Sequence, residues 1–319
     1  MADQARTDAP ETWTVSATSH GARLDRFLRG CLPNLSRAAL KAAISAGLFR
    51  VNDRPGRKGE RVAAGDTVVF VGPRAWLDES PLPQEEIRPA ILYEDTELLV
   101  IDKPAHVATH GFSARDVNTL ANFVAAYYPE ILDVGRSRWE PGLIHRLDRE
   151  TSGLVLIAKT QTAFEHLRNQ FRNRVVGKHY LALVEGVTEV EGSIDMPLAH
   201  DRRDRRRMRP AVSQERQKNW RALTRYRRRA TARGFSFLEV QMTTGVTHQV
   251  RAHLAARNHP IVGDRVYGHP APAPLALDRH FLHAFRLEFL HPGDERPMVV
   301  DSKLPADLDR ALKILAIEI

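Results

Sequence analysis

One cysteine, Cys31, stands among 319 residues. A single thiol closes no disulfide within the chain and supplies no cysteine-based zinc cluster. Leu28 and Leu32 lie beside it, which suits a core thiol in a reducing cytosol. No run of about 18 apolar residues occurs, so nothing reads as a membrane span. The opening "MADQARTDAPETW" lacks a basic start leading into an apolar stretch and is not a secretory signal. No glycine-rich loop of the Walker or Rossmann type is present. "HQVRAH" sets His248 and His253 five apart with no Glu between, unlike the "HExxH" of a zinc protease. "HRLD" is not the contiguous His-Arg-Asp of a kinase catalytic loop. There is no internal repeat.

What is present is a chain that is 43% hydrophobic, enough for a full core. Lys and Arg outnumber Asp and Glu by 47 to 39, a net charge of +8. Nucleic acid or another polyanion fits that balance, and so does simple solubility.

Residues 1–21 read as a loose segment with room for one short strand. From 22 to 72 a small unit follows. "RLDRFLRGCL" carries Leu24, Phe27, Leu28, Cys31 and Leu32 at helical spacing, with Arg23, Arg26 and Arg29 largely opposite. Ser36 is the expected N-cap of "RAALKAAISA", and Gly47 its stop. "LFRVNDRPG" and "GDTVVFVG" read as short strands. Residues 73–89, rich in proline and acidic side chains, read as a linker. Residues 90–319 form the larger unit. Strands are expected around the turn Glu94–Thr96 and at "LVLIAK", "KHYLALVEG", "FSFLEVQM", "HAFRLEFLHP" and "MVVDSKLP". Helices are expected at "NTLANFVAAYYP", capped by Asn118 with Tyr127 inward, and at "TQTAFEHLRNQFRN", "HQVRAHLAARN" and "PADLDRALKILA". Strands outnumber helices without regular interleaving, so the expected class is α+β with a mixed, largely antiparallel sheet.

The stretch "IHRLDRETSGLVLIAKT" places Asp148 between Arg146 and Arg149, beside His145, at a polar turn that enters the apolar segment Leu154–Ala158. A structural ion pair is the plain reading. A free Asp has a pKa of about 3.9, and a close arginine lowers it by about 1–3 units. A general acid needs the opposite shift, to about 6–7. Basic surroundings therefore suit a permanent carboxylate: a nucleophile, an ion-pair anchor or a stabiliser of developing positive charge.

"HRLDRETSGLVLIAKT" resembles the signature of the RluA-type pseudouridine synthases, which modify ribosomal and transfer RNA. "ILYEDTELLVIDKP", "KHYLALVEG", "TTGVTHQVRAHLAARNHPIVGDRVYG" and "LHAFRLEFLHP" resemble further motifs of that family, in order, between Ile91 and Pro292. Residues 22–72 resemble the alpha-L RNA-binding module, a small N-terminal α/β domain. The resemblance implies a pseudouridine synthase catalytic domain with Asp148 as the catalytic aspartate. The reaction breaks a uridine N1–C1′ bond, turns the base and rejoins it through C5, with no cofactor and no metal. Whether the aspartate adds to the ring or acts at the ribose stays open. Tyr180 matches the tyrosine that stacks on the base and has been assigned the C5 proton transfer. Arg251 matches the partner of the aspartate, with Arg146 the alternative. His145, Arg146, Thr151, His248 and Gln249 are expected at the substrate site, and Arg23, Arg37 and Lys41 are expected to meet RNA. The stretch from Arg202 to Arg229, with Trp220 and Tyr226 interspersed, suits phosphate contact and stacking.

Three positions depart from the family pattern. Val246 stands at a usual arginine, His106 at a usual glycine and His280 at a usual glutamine. The expectation is a monomeric, cytoplasmic enzyme acting on large-subunit ribosomal RNA, with transfer RNA second. A non-catalytic RNA-binding or ribosome-assembly protein on the same fold is the rival. A carboxylate-based nucleic-acid hydrolase is third, and it lacks a second acidic partner near Asp148.

Overall fold

The computed structural model describes residues 11–32, 35, 37–72, 80–111, 115–204, 206–211, 218–272 and 275–318. The chain divides into two compact units. One is Met1–Leu82 with Gly111–Val117 and Arg136–Glu140; the other is Pro83–His110 with Asn118–Gly135 and Pro141–Ile319. Among the described residues no helix is long and apolar enough to cross a membrane.

The smaller unit contains β1 (Thr12–Thr14), α1 (Leu24–Cys31), α2 (Arg37–Ser45), β2 (Phe49–Val51), β3 (Arg54–Pro55) and β4 (Thr67–Phe70). Its sheet runs β1-β4-β2-β3, with every pair antiparallel. Leu24, Phe27 and Leu28 on α1 and Leu40, Ala43 and Ile44 on α2 are buried with Phe49, Val51, Val68 and Phe70. Each large apolar side chain so buried stabilises by roughly 1.5–3 kcal/mol. Asn52 and Asp53 both take positive φ, 47° and 62°, as a tight hairpin between β2 and β3 requires. Gly47, at φ 73°, ends α2. The expected cap Ser36 lies outside the described residues.

The larger unit begins with β5 (Ala90–Glu94), β6 (Leu98–Lys103), α3 (Leu120–Tyr127), β7 (Ser152–Ala158), α4 (Gln161–Arg172) and β8 (Gly177–Glu185). Then come β9 (Glu191–Asp195), β10 (Leu198–His200), β11 (Met208–Pro210), β12 (Asn219–Trp220), β13 (Leu223–Ala232) and β14 (Phe235–Met242). α5 (Gln249–Ala256), β15 (Leu282–Leu290), β16 (Pro297–Asp301) and α6 (Ala306–Ile314) complete it. The main sheet is ordered β5-β6-β7-β15-β8-β14-β13-β9, with β16 paired to β15. β7 and β15 pair in parallel and every other neighbouring pair is antiparallel, the α+β arrangement expected. β7 is buried at all seven positions, so it reads as a continuous apolar run and not as an alternation. A separate three-stranded sheet runs β11-β10-β12.

Three local readings are corrected. The cap of α3 is Thr119, not Asn118: Thr119 Oγ1 accepts from Asn122 N, and Asn122 Oδ1 accepts from Thr119 N. Asn118 instead turns the chain at φ 61°. Tyr127 is 38% exposed, its hydroxyl donating to Glu85 O. Residues 83–89, read from composition as linker, run along the larger unit, with Ile87 inside its core.

Candidate active site

Local hydrogen bonding holds the turn around Asp148 in place. Residues 142–145 run back along β7, where Ala158 N donates to Gly142 O and Ile144 N to Leu156 O. At the next step the His145 imidazole replaces a carbonyl, with Nε2 accepting from Leu156 N at 3.1 Å. The ring stacks on Phe171 at 4.9 Å. Burial, helped by the charges of Lys178 and Arg168, pushes its pKa down to about 3, so it remains a neutral acceptor. Thr109 Oγ1 donates to Leu147 O and accepts from Leu147 N, both at 3.0 Å. Arg149 O accepts from His106 N at 2.8 Å and from Lys103 Nζ at 3.2 Å. Asp148 is thus gripped by the residues on either side of it.

The far side of the turn is held as firmly. Arg279, 1% exposed, forks onto Asp307 and donates to Glu150 O and Ser152 Oγ. His280 Nε2 lies 2.7 Å from Thr151 Oγ1, and its Nδ1 lies 3.2 Å from Glu150 Oε2. Gly153, at φ 116°, packs against the Ala284 backbone of β15, where a Cβ would collide with carbonyl oxygen and amide nitrogen. Glycine is the one residue that fits.

Arg251 on α5 reaches this turn from 103 residues away. Its Nε and Nη2 fork onto Asp264 at 2.7 and 2.9 Å, and Nη1 donates to Asp148 Oδ2 at 2.8 Å. Asp264 is fully buried and also accepts from Val266 N and Tyr267 N. Burial works against charge on all three groups. The Asp264 hydrogen bonds and the two carboxylate charges overcome it at Arg251, whose pKa is raised. The Arg251 hydrogen bonds overcome it at Asp264, whose pKa is lowered. At Asp148 burial is outweighed by the charges of His248 and Arg251, so the carboxyl titrates below its ordinary range. His248 is itself pushed by burial toward the neutral form, so the guanidinium is the lasting cation. No hydrogen bond reaches Oδ1 of Asp148 among the described residues, and its side chain is 21% exposed.

Tyr180 on β8 lies in one cross-sheet row with Ala284 of β15 and Gly153 of β7. Its ring is buried, and its hydroxyl has no hydrogen-bond partner among the described residues. Burial, then the Asp148 charge, raises its pKa. The phenol therefore lies within the electrostatic reach of the carboxylate. His248, the N-cap residue of α5 with φ 54°, has Nε2 3.7 Å from Asp148 Oδ2 and Nδ1 3.0 Å from Tyr267 Oη.

Asp148, Tyr180, Arg251 and His248 are therefore brought together, while five other expected residues are placed differently. Arg146 is exposed and bonds His110 Nε2 at 3.0 Å, so it does not pair with Asp148. His145 and Thr151 spend their polar atoms inside the scaffold. Gln249, 2% exposed, bonds Thr244, Val246, Leu223 and Thr224 and ties α5 to the end of the sheet. Tyr226 packs against the core and not outward for stacking. Val246 packs beside a small cluster of Leu198, Met208, Ala222 and Ala252. In the smaller unit, Arg23 and Arg37 both face the buried carboxylate of Asp25, at 2.9 and 3.9 Å, and the Lys41 charge acts on it as well.

Asp264, Lys103 and Tyr267 were not singled out from the sequence. Their signal was a charge inside apolar or glycine-bounded surroundings: Lys103 after "LLVID", and Asp264 after "PIVG". Lys103 is fully buried, its ammonium satisfied by three carbonyls, and burial pushes its pKa down to about 7. No group of three or more His, Cys, Asp or Glu side chains among the described residues is arranged to hold a metal ion.

Comparison with known proteins identifies the family. The family model described as RNA pseudouridylate synthase matches residues 97–256. An uncharacterized RNA pseudouridine synthase of Chloroflexus aurantiacus is 40% identical over 94% of this chain and 92% of its own. The ribosomal large subunit pseudouridine synthase D of Nitrosomonas europaea is 34% identical over 95% of this chain and 87% of its own. A solved structure, human RNA pseudouridylate synthase domain containing 1, aligns with a TM-score of 0.58 at 27% identity, covering 72% of this chain and 89% of that one. With a family model spanning half its length and relatives matched nearly end to end, the chain belongs to the RNA pseudouridylate synthase family, whose members are isomerases.

Proposed function

We propose that this enzyme isomerises uridine to pseudouridine at defined sites of large-subunit ribosomal RNA. The target is carried by relatives named as ribosomal large subunit synthases. The observation that carries the catalytic assignment is the Asp264–Arg251–Asp148 chain, with one Asp148 oxygen free beside Tyr180. Asp148 is the charged oxygen group that attacks the nucleoside, and Arg251 holds it still. Rigid placement of a nucleophile within attack distance is worth several kcal/mol of barrier. The N1–C1′ bond breaks, the base turns, and C5 bonds to C1′. C5 then loses its proton while N1 gains one, so atoms balance within the substrate.

Tyr180 serves first as a platform for the extruded base. As a neutral phenol beside a carboxylate, it is a poor base in the resting protein. Once Asp148 is bonded to the substrate its charge is gone, and one cause of the raised pKa goes with it. Ionisation of the phenol, its proton passing to N1, is then less opposed, and the phenolate takes the C5 proton. Residues 22–72 form the RNA-binding module, and Arg23, Arg37 and Lys41 meet phosphate there. The exposed Arg146 is available for the same purpose. Taking a base out of its stack costs a few kcal/mol, which phosphate contacts of this kind offset.

The test is tritium release from 5-tritiated uridine in ribosomal RNA. The unaltered chain releases tritium. Asp148→Asn releases none and still binds RNA. Turnover retained by purified Asp148→Asn sinks the catalytic assignment, and release from transfer RNA alone sinks the ribosomal target.

A further inference from the structure

His248 carries more than the sequence suggested, and the reason lies in a chain of three hydrogen-bonding groups. Met208 N, on β11, donates to Tyr267 Oη at 2.7 Å. Tyr267 Oη lies 3.0 Å from His248 Nδ1, and His248 Nε2 lies 3.7 Å from Asp148 Oδ2. The phenolic oxygen already accepts from Met208, and Nδ1 is the one acceptor within reach of its own hydrogen among the described residues. Were Nδ1 protonated, that hydrogen would have no acceptor there. The bare Nε2 would then present its lone pair to a carboxylate. Both costs vanish in one arrangement: Tyr267 O–H donates to Nδ1, and Nε2 carries the hydrogen. Burial holds the Tyr267 phenol in its protonated form, its pKa pushed up to about 12.

We infer that His248 is a neutral imidazole locked as its Nε2–H tautomer by Tyr267 and Met208, and that it acts on catalysis by holding Asp148. Its N–H and that of Arg251 both address Oδ2, which leaves Oδ1 as the oxygen offered to the substrate. His248 is a positioning residue, acting through Asp148. At 3.7 Å the approach is longer than a formed hydrogen bond, so the Nε2–H acts on the charged carboxylate electrostatically before attack. His248 is the N-cap of α5, with left-handed backbone at φ 54°, and its side chain caps no helix N–H. The charged and titratable groups facing it are Asp148, Arg251, Asp264 and His280, with Tyr267 behind. This inference rests on the synthase reading.

The experiment measures kcat and KM for tritium release from 5-tritiated uridine RNA, from about pH 5.5 to about pH 8.5. His248→Ala lowers kcat about 10- to 100-fold and changes KM little, because placement and not binding is lost. His248→Gln, whose amide nitrogen takes the place of Nε2, recovers most of the rate. Tyr267→Phe keeps the ring and frees Nδ1 to take a proton. Its kcat falls by about tenfold, and the acid limb of its pH profile moves toward higher pH. A His248→Ala rate within about twofold of the unaltered chain overturns the inference, and so does a Gln variant as slow as Ala. If the Ala variant does not fold, Tyr267→Phe decides: an unchanged rate and profile overturn the tautomer lock. A lack of tritium release by the unaltered chain overturns the synthase reading itself, which separates the two failures.

Discussion

The Asp148 carboxylate depends on a partner that itself needs a partner. Arg251 has three nitrogens engaged, two on Asp264 and one on Asp148. Asp264→Asn leaves a buried guanidinium with one carboxylate. Breaking a buried pair from one side costs about 3–5 kcal/mol, so the melting temperature should drop sharply and the turnover that survives should be slow. A variant that melts with the unaltered chain would contradict this. Acid sensitivity follows from His145 and His283, which burial pushes to about 3 and about 4. Below the unfolded histidine value of about 6.5 the unfolded chain takes up protons that the folded chain refuses, so stability falls as pH falls. Urea midpoints at about pH 7.5 and about pH 5 should therefore differ, and His145→Gln should narrow the gap. At this scale the grouping of Asp148, Tyr180 and Arg251 was legible because motif order marks them. Asp264 was not, since a carboxylate's use is set by what lies across the fold from it. His145 was placed at the substrate site because Asp148 lies three residues on, but its imidazole bonds back to Leu156 N of β7 and shapes the turn.

Secondary-structure elements were legible where apolar spacing is undisturbed, as in α1, α4, β8 and β14. They were hidden where charge fills an inward position. In β13 the even-numbered residues point inward, and one of them is Arg228, whose guanidinium donates to Thr188 O. An arginine where a hydrophobe is expected erases the alternation, and β9 to β12 carry too few apolar residues to restore it. The cap of α3 slipped by one residue because Asn118 and Thr119 are both good capping types, and only the left-handed turn at Asn118 separates them. Two substitutions probe backbone demands. Gly153→Ala forces β7 and β15 apart at the mouth of the catalytic turn, so activity should fall with a loss of several degrees in melting temperature. His106 holds φ 67° at a position where the family commonly has glycine. A left-handed non-glycine residue costs about 1–2 kcal/mol. His106→Gly should therefore raise thermal stability slightly or leave it unchanged, and a clear loss would mean that the imidazole itself is needed.

At the scale of the whole molecule, charge governs the encounter with RNA. The chain carries +8, and binding should weaken with salt at a slope of about −0.7 per phosphate neutralised for single strands. Arg37→Glu with Lys41→Glu should flatten that slope and weaken binding across sequences alike, while a salt-independent affinity would contradict phosphate contact. The order of the main sheet has a different consequence. β15 fills the place between β7 and β8, so these two strands are joined only by one made about a hundred residues later. Until Leu282–Leu290 has left the ribosome, the strand that follows Asp148 has one open edge. A nascent chain stalled ahead of that point is expected to hold Asp148 and Tyr180 on strands not yet joined, so the proposed site should form only once β15 has paired.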